Sequence, residues 1–164
     1  MNIHSFGPIV DENCKVLILG SIPGVKSLEK NQYYGHPRNQ FWKIIYMMFN
    51  EKVEEDYDKK VQFLLSHKIA LWDVVKSCYR EGSLDSNIKK PEINDFKTLF
   101  LKYPNIKFIF FNGSKAEEIF KRKVDKELVK EKQLFRLPST SPARAISFNE
   151  KLKYWMKVKE CLEK

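Results

Sequence analysis

Residues 15–49, KVLILGSIPGVKSLEKNQYYGHPRNQFWKIIYMMF, decide the fold of this chain. The apolar run at 16–19 is typical of a strand that is buried on both faces of a parallel sheet. A glycine-bearing turn follows at 20–24, and the segment ends in a helix. The apolar residues of that helix lie on one face of a 3.6-residue period: Phe41, Ile44, Ile45, Met48 and Phe49. Ligands of open α/β sheets bind beyond the carboxyl ends of the strands, so the loop between this strand and this helix is expected to form one wall of a site.

The turn at 20–27, GSIPGVKS, is not a phosphate-binding loop of the common nucleotide-binding kinds. A P-loop needs four residues between its glycines and a lysine directly after the second, whereas here three residues separate the glycines and Val25 precedes Lys26. Pro23 also removes a backbone N–H that a phosphate would need. No G-x-G-x-x-G pattern is present. An ATP or NAD site is therefore not expected.

Length and composition predict one globular domain, residues 1–164, with 43% hydrophobic and 13% aromatic residues. Lys and Arg outnumber Asp and Glu by 30 to 21, and the net charge of +9 favours a polyanionic partner, although it also fits solubility alone. The three cysteines, at 14, 78 and 161, form no C-x-x-C pair, which indicates reduced thiols and disfavours a disulfide framework, a zinc site or an iron–sulfur cluster. No signal peptide and no membrane span are expected.

Three further apolar runs, at 69–75, 106–111 and 134–137, are predicted strands, and each is preceded and followed by a helical pattern. Strand and helix repeated four times predict an α/β fold with a parallel sheet, right-handed crossovers and helices on both faces. Residues 78–91 have no period and are predicted to be a long loop, which is often functional in a compact domain.

Helix caps are expected at Asn94, Ser114 and Ser147, the last two as capping boxes with Glu117 and Glu150.

Polar residues interrupt or end the predicted strands. A carboxylate at Asp73 in an apolar strand must be hydrogen-bonded by the backbone or face a ligand, and the two interpretations are equally good. Asn112 ends the third strand, and before glycine a simple turn residue is the favoured interpretation. The fourth strand leads into 138–144, PSTSPAR, where small hydroxyl residues between two prolines make a stiff loop that can donate to phosphates. From composition alone this segment also fits an ordinary turn.

Two motifs together resemble the uracil-DNA glycosylase superfamily. The first is GSIPG at 20–24 followed by YGHPRNQFW at 34–42, and its full form is most similar to the branch of DNA-deoxyinosine (hypoxanthine-DNA) glycosylases. The second is the PSTS loop that begins at Pro138 and resembles the [HN]-P-S-x-x-S loop of the superfamily. Together the two motifs extend the resemblance over most of the chain.

The resemblance implies a three-layer α/β/α fold with a four-stranded parallel sheet in the order 2-1-3-4. It implies a monofunctional DNA glycosylase that flips a deaminated base, foremost hypoxanthine, out of DNA and hydrolyses its N-glycosidic bond in base excision repair. Neither cofactor nor metal is expected, and the partner is DNA that contains a damaged or deaminated base. The protein is expected to be a cytoplasmic monomer that acts at the nucleoid.

The same resemblance implies a set of site residues. Asn39 is the catalytic candidate, and Tyr34 matches the aromatic residue that stacks on the base. The expected base pocket consists of Gly20, Ser21, Ile22, Pro23, Gly24, Tyr34, His36, Asp73 and Asn112. The expected DNA contacts are Lys26, Arg38, Ser139, Thr140, Ser141, Pro142, Ala143 and Arg144.

The chain departs from the superfamily pattern at two positions. Ile22 stands where many relatives have an Asp or Asn that positions the attacking water, and Leu137 stands where many have His or Asn. Two alternatives therefore stay open, a glycosylase of uracil or of G:U and G:T mismatches, and a non-catalytic nucleic-acid-binding module. Asn39 could also serve only as a helix cap, and His36 could orient its loop or bind a phosphate.

Overall fold

A computed structural model describes residues 1–164. The strands are β1 (Asn2–His4), β2 (Val16–Gly20), β3 (Ile69–Asp73), β4 (Val75–Tyr79), β5 (Lys89–Ile93), β6 (Phe108–Asn112) and β7 (Gln133–Leu137). The α-helices are α1 (Val25–Lys30), α2 (Phe41–Met48), α3 (Tyr57–Ser66), α4 (Phe96–Lys102), α5 (Ser114–Lys123) and α6 (Phe148–Leu162). Short 3₁₀ helices lie at Asp85–Asn87 and Lys126–Val129. No helix is both long and apolar enough to span a membrane.

The central sheet has four parallel strands in the order β3-β2-β6-β7. In chain order this is 2-1-3-4, so the predicted topology is confirmed. Because strand side chains alternate between the two faces, β2 contributes Leu17 and Leu19 to one core and Val16 and Ile18 to the other. Helices α4 and α5 cover the first core, and α2 and α6 cover the second. The predicted three-layer α/β/α architecture is therefore confirmed.

A second, antiparallel sheet with the order β1-β4-β5 lies beside the central one. The strand predicted at 69–75 is confirmed over Ile69–Asp73, but Val75 already begins β4 of the second sheet. The loop predicted at 78–91 is shorter than expected, because β4 extends to Tyr79 and β5 begins at Lys89. The chain leaves the parallel sheet at Val74, whose N–H donates to the Gly20 carbonyl at 2.8 Å. Strand β5 was missed because its sequence, KKPEI, is charged and contains Pro91, which a sheet tolerates at an edge, where β5 lies.

The cap predicted for α4 is wrong by one residue. Asp95 is the N-cap, and its carboxylate accepts from the Thr98 N–H at 3.0 Å. Asn94 is buried instead, and its side chain donates to the Asp73 carbonyl at 2.7 Å. Asn94 therefore fixes the end of β3.

The other two predicted caps had different outcomes. Ser114 is the first residue of α5 and not its cap, because Gly113 takes the cap position with a left-handed φ of 97° and no side-chain bond. The Ser147 cap of α6 is confirmed, since its hydroxyl accepts from the Glu150 N–H at 3.1 Å.

Candidate active site

The carboxyl ends of β2, β3 and β6 and the loop after β7 surround a cavity of about 610 Å³. This is the edge of an α/β sheet where ligands bind, and the volume lies in the range of small-molecule sites. The cavity brings together every sequence-predicted site residue except Arg38. Arg38 is exposed and does not line the cavity wall.

Gly20, at the end of β2, makes room for the polar floor of the cavity. A Cβ atom on Gly20 would lie 2.7 Å from a carboxylate oxygen of Asp73 and 2.7 Å from the hydroxyl of Tyr34. The Tyr34 hydroxyl and the Asp73 Oδ2 atom are buried and have no hydrogen-bond partner in the chain. Buried polar groups are rarely left unpaired, so the floor is suited to a polar ligand.

The Asp73 carboxyl is fully enclosed, and this burial is the main reason why its pKa rises from 3.8 to about 7. The nearby charge of Asp85 raises the pKa further, whereas Arg80 opposes the rise. At neutral pH the group is therefore present both as a donor and as an acceptor. Such a carboxyl can accept a hydrogen bond from an N–H group of a ligand or donate one to a carbonyl oxygen.

Tyr34 forms the aromatic part of the wall in a rare backbone conformation. Its φ is 54°, a left-handed value that bulky residues seldom adopt. Its ring stacks on Phe41 with centroids 4.1 Å apart and planes at 23°, and Phe41 packs edge-on against Trp155. The surrounding core thus fixes the ring in the wall of the cavity.

Asn39 is fixed through one end of its side chain. Its Oδ1 atom accepts from the Phe41 N–H at 2.9 Å, which closes the turn into α2. The helix-cap interpretation of Asn39 is wrong by one residue, because Gln40 takes the N-cap position of α2 and Asn39 precedes it. Its amide nitrogen has no acceptor in the chain, and Asn39 lines the cavity. The half of the side chain left for a ligand is thus a hydrogen-bond donor.

His36 orients its own loop, since its Nδ1 atom accepts from the Arg38 N–H at 3.0 Å. Only the other ring nitrogen is left to face the cavity. Lys26 also lines the cavity, and its ammonium lies 3.5 Å from the Glu29 carboxylate.

The loop at 138–144, here called the hydroxyl loop, is anchored by a buried side-chain pair. Asn112 donates to the Thr140 hydroxyl at 3.0 Å and accepts from the Thr140 N–H at 2.9 Å. The Thr140 carbonyl in turn accepts from the Gln40 N–H at 3.1 Å. The interpretation of Asn112 as a simple turn residue is therefore wrong, because its side chain ties the third strand to the hydroxyl loop.

Helix α6 holds the hydroxyl loop at its first residue and at its middle. The Trp155 indole donates to the Pro138 carbonyl at 2.9 Å, and the Lys151 ammonium donates to the Ser141 carbonyl at 3.1 Å. Lys151 is buried, and its pKa is lowered first by that burial and then by the charge of Arg144. Two cations thus lie close together at this loop, which is suited to an anion such as a phosphate.

The two departures from the superfamily pattern are core residues. Ile22 is 7% exposed and belongs to the core on one side of the sheet, and Leu137 is 4% exposed and belongs to the other. Neither offers a hydrogen bond to a ligand through its side chain.

Sequence reasoning missed the part of the wall formed by residues 83–86. We call residues 80–87 the Asp85 loop. Arg80 has no exposed surface, and its guanidinium donates to the Pro23 and Gly82 carbonyls at 2.7 Å each. The Ser83 hydroxyl accepts from the Val25 N–H at 2.9 Å. Residues 78–91 were predicted to be a long loop of a kind that is often functional, but none of them was among the predicted site residues.

Asp85 is the only carboxylate among the missed residues 83–86. One of its carboxylate oxygens, Oδ1, accepts from the Ser21 hydroxyl at 2.6 Å. The signal available in the sequence was a carboxylate between two serines, SLDS, directly after a glycine. No group of three or more His, Cys, Asp or Glu side chains is arranged to hold a metal ion.

Residues 8–162 match the model of the uracil DNA glycosylase superfamily. Two hypoxanthine DNA glycosylases are similar to this chain. That of Methanosarcina barkeri is 44% identical over 72% of this chain and 75% of its own, and that of Methanosarcina acetivorans is 46% identical over 70% and 73%.

A protein of M. acetivorans that was solved by NMR and provisionally named a uracil DNA glycosylase superposes with a TM-score of 0.83. It is 37% identical, and the match covers all of both chains. The chain therefore belongs to the uracil DNA glycosylase superfamily.

Proposed function

We propose that the protein is a monofunctional DNA glycosylase that removes hypoxanthine from DNA by hydrolysing the N-glycosidic bond. The observation that carries the proposal is the floor of the cavity, where the Tyr34 hydroxyl and one Asp73 oxygen are buried and unpaired. The names of the two Methanosarcina relatives support hypoxanthine as the base. A base can reach this floor only after its nucleotide has left the duplex.

The polar groups of the floor fit the edge of hypoxanthine, where a ring N–H lies next to a carbonyl oxygen. The Asp73 carboxylate can accept from the N–H, and in its protonated form it can donate to the carbonyl. The Tyr34 hydroxyl supplies a second donor, and its ring supplies an aromatic surface beside the base. The raised pKa of Asp73 keeps both forms available near neutral pH.

Asn39 acts as a hydrogen-bond donor in this scheme. Its carbonyl oxygen is occupied by the Phe41 N–H, so only its amide N–H groups are free. An amide does not titrate near neutral pH, and Asn39 is therefore not a general base. Its N–H groups instead stabilise negative charge on the departing base or hold the oxygen of the attacking water.

The substrate is tested with labelled duplexes that carry a single hypoxanthine or uracil, by alkaline strand scission under single-turnover conditions. After treatment with wild-type protein, alkali is expected to break the strand at the position of hypoxanthine. Cleavage mainly at uracil would establish the alternative substrate, and DNA binding without release of either base would establish a binding module.

Two variants of Asn39 separate its two roles. Asn39→Asp keeps an oxygen that can accept from the Phe41 N–H but loses the donor, so base release should fall about 100-fold at unchanged thermal stability. Asn39→Ala should lose both activity and about 1 kcal/mol of stability. Full activity of Asn39→Asp would contradict the donor role.

A further inference from the structure

The cavity holds two carboxylates at different depths. Asp73 is enclosed at the floor, whereas Asp85 is an exposed residue of the 3₁₀ helix Asp85–Asn87. The neighbouring glycine loop, residues 20–24, brings no carboxylate or amide side chain of its own, since it reads GSIPG. The Asp85 loop thus supplies a carboxylate that is hydrogen-bonded to the glycine loop, through Ser21.

Because the two carboxylates lie at different depths, they can contact different parts of a bound nucleotide. A flipped nucleotide enters base first, so its base meets the floor while its sugar stays closer to the mouth. When the bond between C1′ and the base breaks, positive charge develops on the sugar. A fixed negative charge near the sugar stabilises that state more than the neutral ground state, and therefore increases the rate.

Asp85 is held in place by several contacts. Its Oδ1 atom accepts from the Ser21 hydroxyl at 2.6 Å, and Ser21 is itself 8% exposed. The buried Arg80 clamps the Asp85 loop onto the Pro23 carbonyl at 2.7 Å. The Asp85 charge also raises the pKa of both floor residues, Asp73 and Tyr34. The second carboxylate oxygen is left free for a ligand.

We propose that Asp85 is a catalytic residue whose carboxylate stabilises the cationic sugar and orients the attacking water, with Ser21 as its positioning partner. In this step the water oxygen bonds to C1′, and the C1′–N bond breaks with its electron pair leaving on the base. The water loses one proton to the free oxygen of Asp85 and then to solvent. The departing base takes up one proton from solvent at a ring nitrogen. This inference rests on the proposed glycosylase function.

Three substitutions isolate the charge of Asp85. Asp85→Asn keeps an oxygen that can accept from Ser21 but removes the negative charge. Ser21→Ala keeps the charge but removes the bond that positions it. Glu131→Gln removes one exposed carboxylate far from the cavity and is the matched control.

The first readout is affinity for two DNA duplexes that contain no base to release. One carries a pyrrolidine in place of the sugar, which is positively charged at neutral pH, and the other carries a neutral tetrahydrofuran. Wild type and Glu131→Gln should bind the pyrrolidine duplex at least about tenfold more tightly than the tetrahydrofuran duplex. In Asp85→Asn this ratio should fall below about threefold, while the tetrahydrofuran Kd stays within about twofold of wild type.

The second readout is single-turnover release of hypoxanthine. Asp85→Asn should lower the rate about 100-fold, and Ser21→Ala about tenfold, both with unchanged melting temperature. A wild-type protein without preference for the pyrrolidine duplex, or an unchanged preference in Asp85→Asn, would overturn the proposal. If wild type releases no hypoxanthine but keeps an Asp85-dependent preference for the cationic sugar, the proposed base is wrong and the role of Asp85 stands.

Discussion

Gly20, Tyr34 and Asp73 meet within a space that has no room for one more carbon atom. The strand that carries Gly20 was evident from its apolar run, but the need for glycine was not, because it arises from residues 14 and 53 positions further along the chain. At the residue scale, then, the sequence identifies most of the residues that line the cavity, but neither Asp85 nor its neighbours. Their mutual contacts depend on tertiary structure.

Gly20→Ala should close the floor of the cavity. The new methyl group would lie 2.7 Å from both the Asp73 carboxylate and the Tyr34 hydroxyl, so these side chains would have to move. We expect a loss of about 1–3 kcal/mol in the free energy of unfolding from such overpacking, together with a large loss of base release. Denaturant unfolding and the scission assay check this. Gly7→Ala, where no atom lies within 4 Å of the new methyl group, is the control. Equal activity in the two variants would contradict the assignment of the floor.

Asp73 should make the stability of the protein depend on pH. Its folded pKa of about 7 lies above the ordinary 3.8, so between these values the folded chain keeps a proton that the unfolded chain has released. The protonated Asp73 carboxyl therefore stabilises the folded state, and this contribution to the free energy of unfolding is fully present below about pH 4. It is lost as the pH rises through 7, and it amounts to about 4 kcal/mol at most.

Asp73→Asn removes this dependence. Wild type should lose stability as the pH rises from 5 to 8, whereas the variant lacks this loss. The difference in unfolding free energy, variant minus wild type, should therefore be larger at pH 8 than at pH 5 in thermal or urea unfolding. A difference between the two proteins that is the same at both pH values would show that Asp73 does not titrate in this range.

Among the elements, the parallel sheet was predictable and the antiparallel sheet was not. The strands β2, β3 and β6 consist almost wholly of apolar residues because helices cover both of their faces. Strand β5 lies at an edge and carries lysines and a proline, so neither composition nor alternation revealed it. The Asp85 loop connects β4 to this strand. Strand β5 and Asp85 were therefore both missed because this polar part of the chain shows no apolar pattern.

The hydroxyl loop should depend on the buried pair of Asn112 and Thr140. Thr140→Val keeps the shape and the backbone bond but leaves the Asn112 amide without its acceptor at 3.0 Å. Because that amide is buried, the expected cost is about 1–3 kcal/mol of unfolding free energy.

Thr98→Val is a matched control. The variant keeps the hydrogen bond from the backbone N–H of residue 98 to Asp95 and loses only the exposed bond from the Thr98 hydroxyl to the same carboxylate. It should cost well under 1 kcal/mol, as is usual at surface positions. Similar losses in the two variants would mean that the pair does not stabilise the loop.

For the whole molecule, the net charge of +9 predicts binding to DNA that weakens steeply with salt. The net charge also fits solubility alone, and it is the two sequence motifs that indicate DNA as the partner. The structure adds a location, because exposed Arg144 and buried Lys151 lie at the same loop.

Arg144→Ala should weaken binding to all DNA sequences alike. It should also reduce the slope of log K against log salt by about 0.9 if one phosphate contact is lost. Fluorescence anisotropy at several salt concentrations measures both quantities. Arg122→Ala removes the same charge from α5, where the guanidinium lies 3.5 Å from Glu118, and should leave the slope unchanged. An unchanged slope in Arg144→Ala would place the phosphate contacts elsewhere.

The glycosylase function is tested most directly by mass spectrometry of the products formed from a duplex with a single hypoxanthine, before any alkaline treatment. We predict free hypoxanthine together with an unbroken strand that carries an abasic site, since the enzyme hydrolyses only the N-glycosidic bond. Asn39→Asp and Asp85→Asn should slow the appearance of both products. Intact substrate after prolonged incubation with wild-type protein, or release of uracil but not hypoxanthine from the matched uracil duplex, would contradict this prediction.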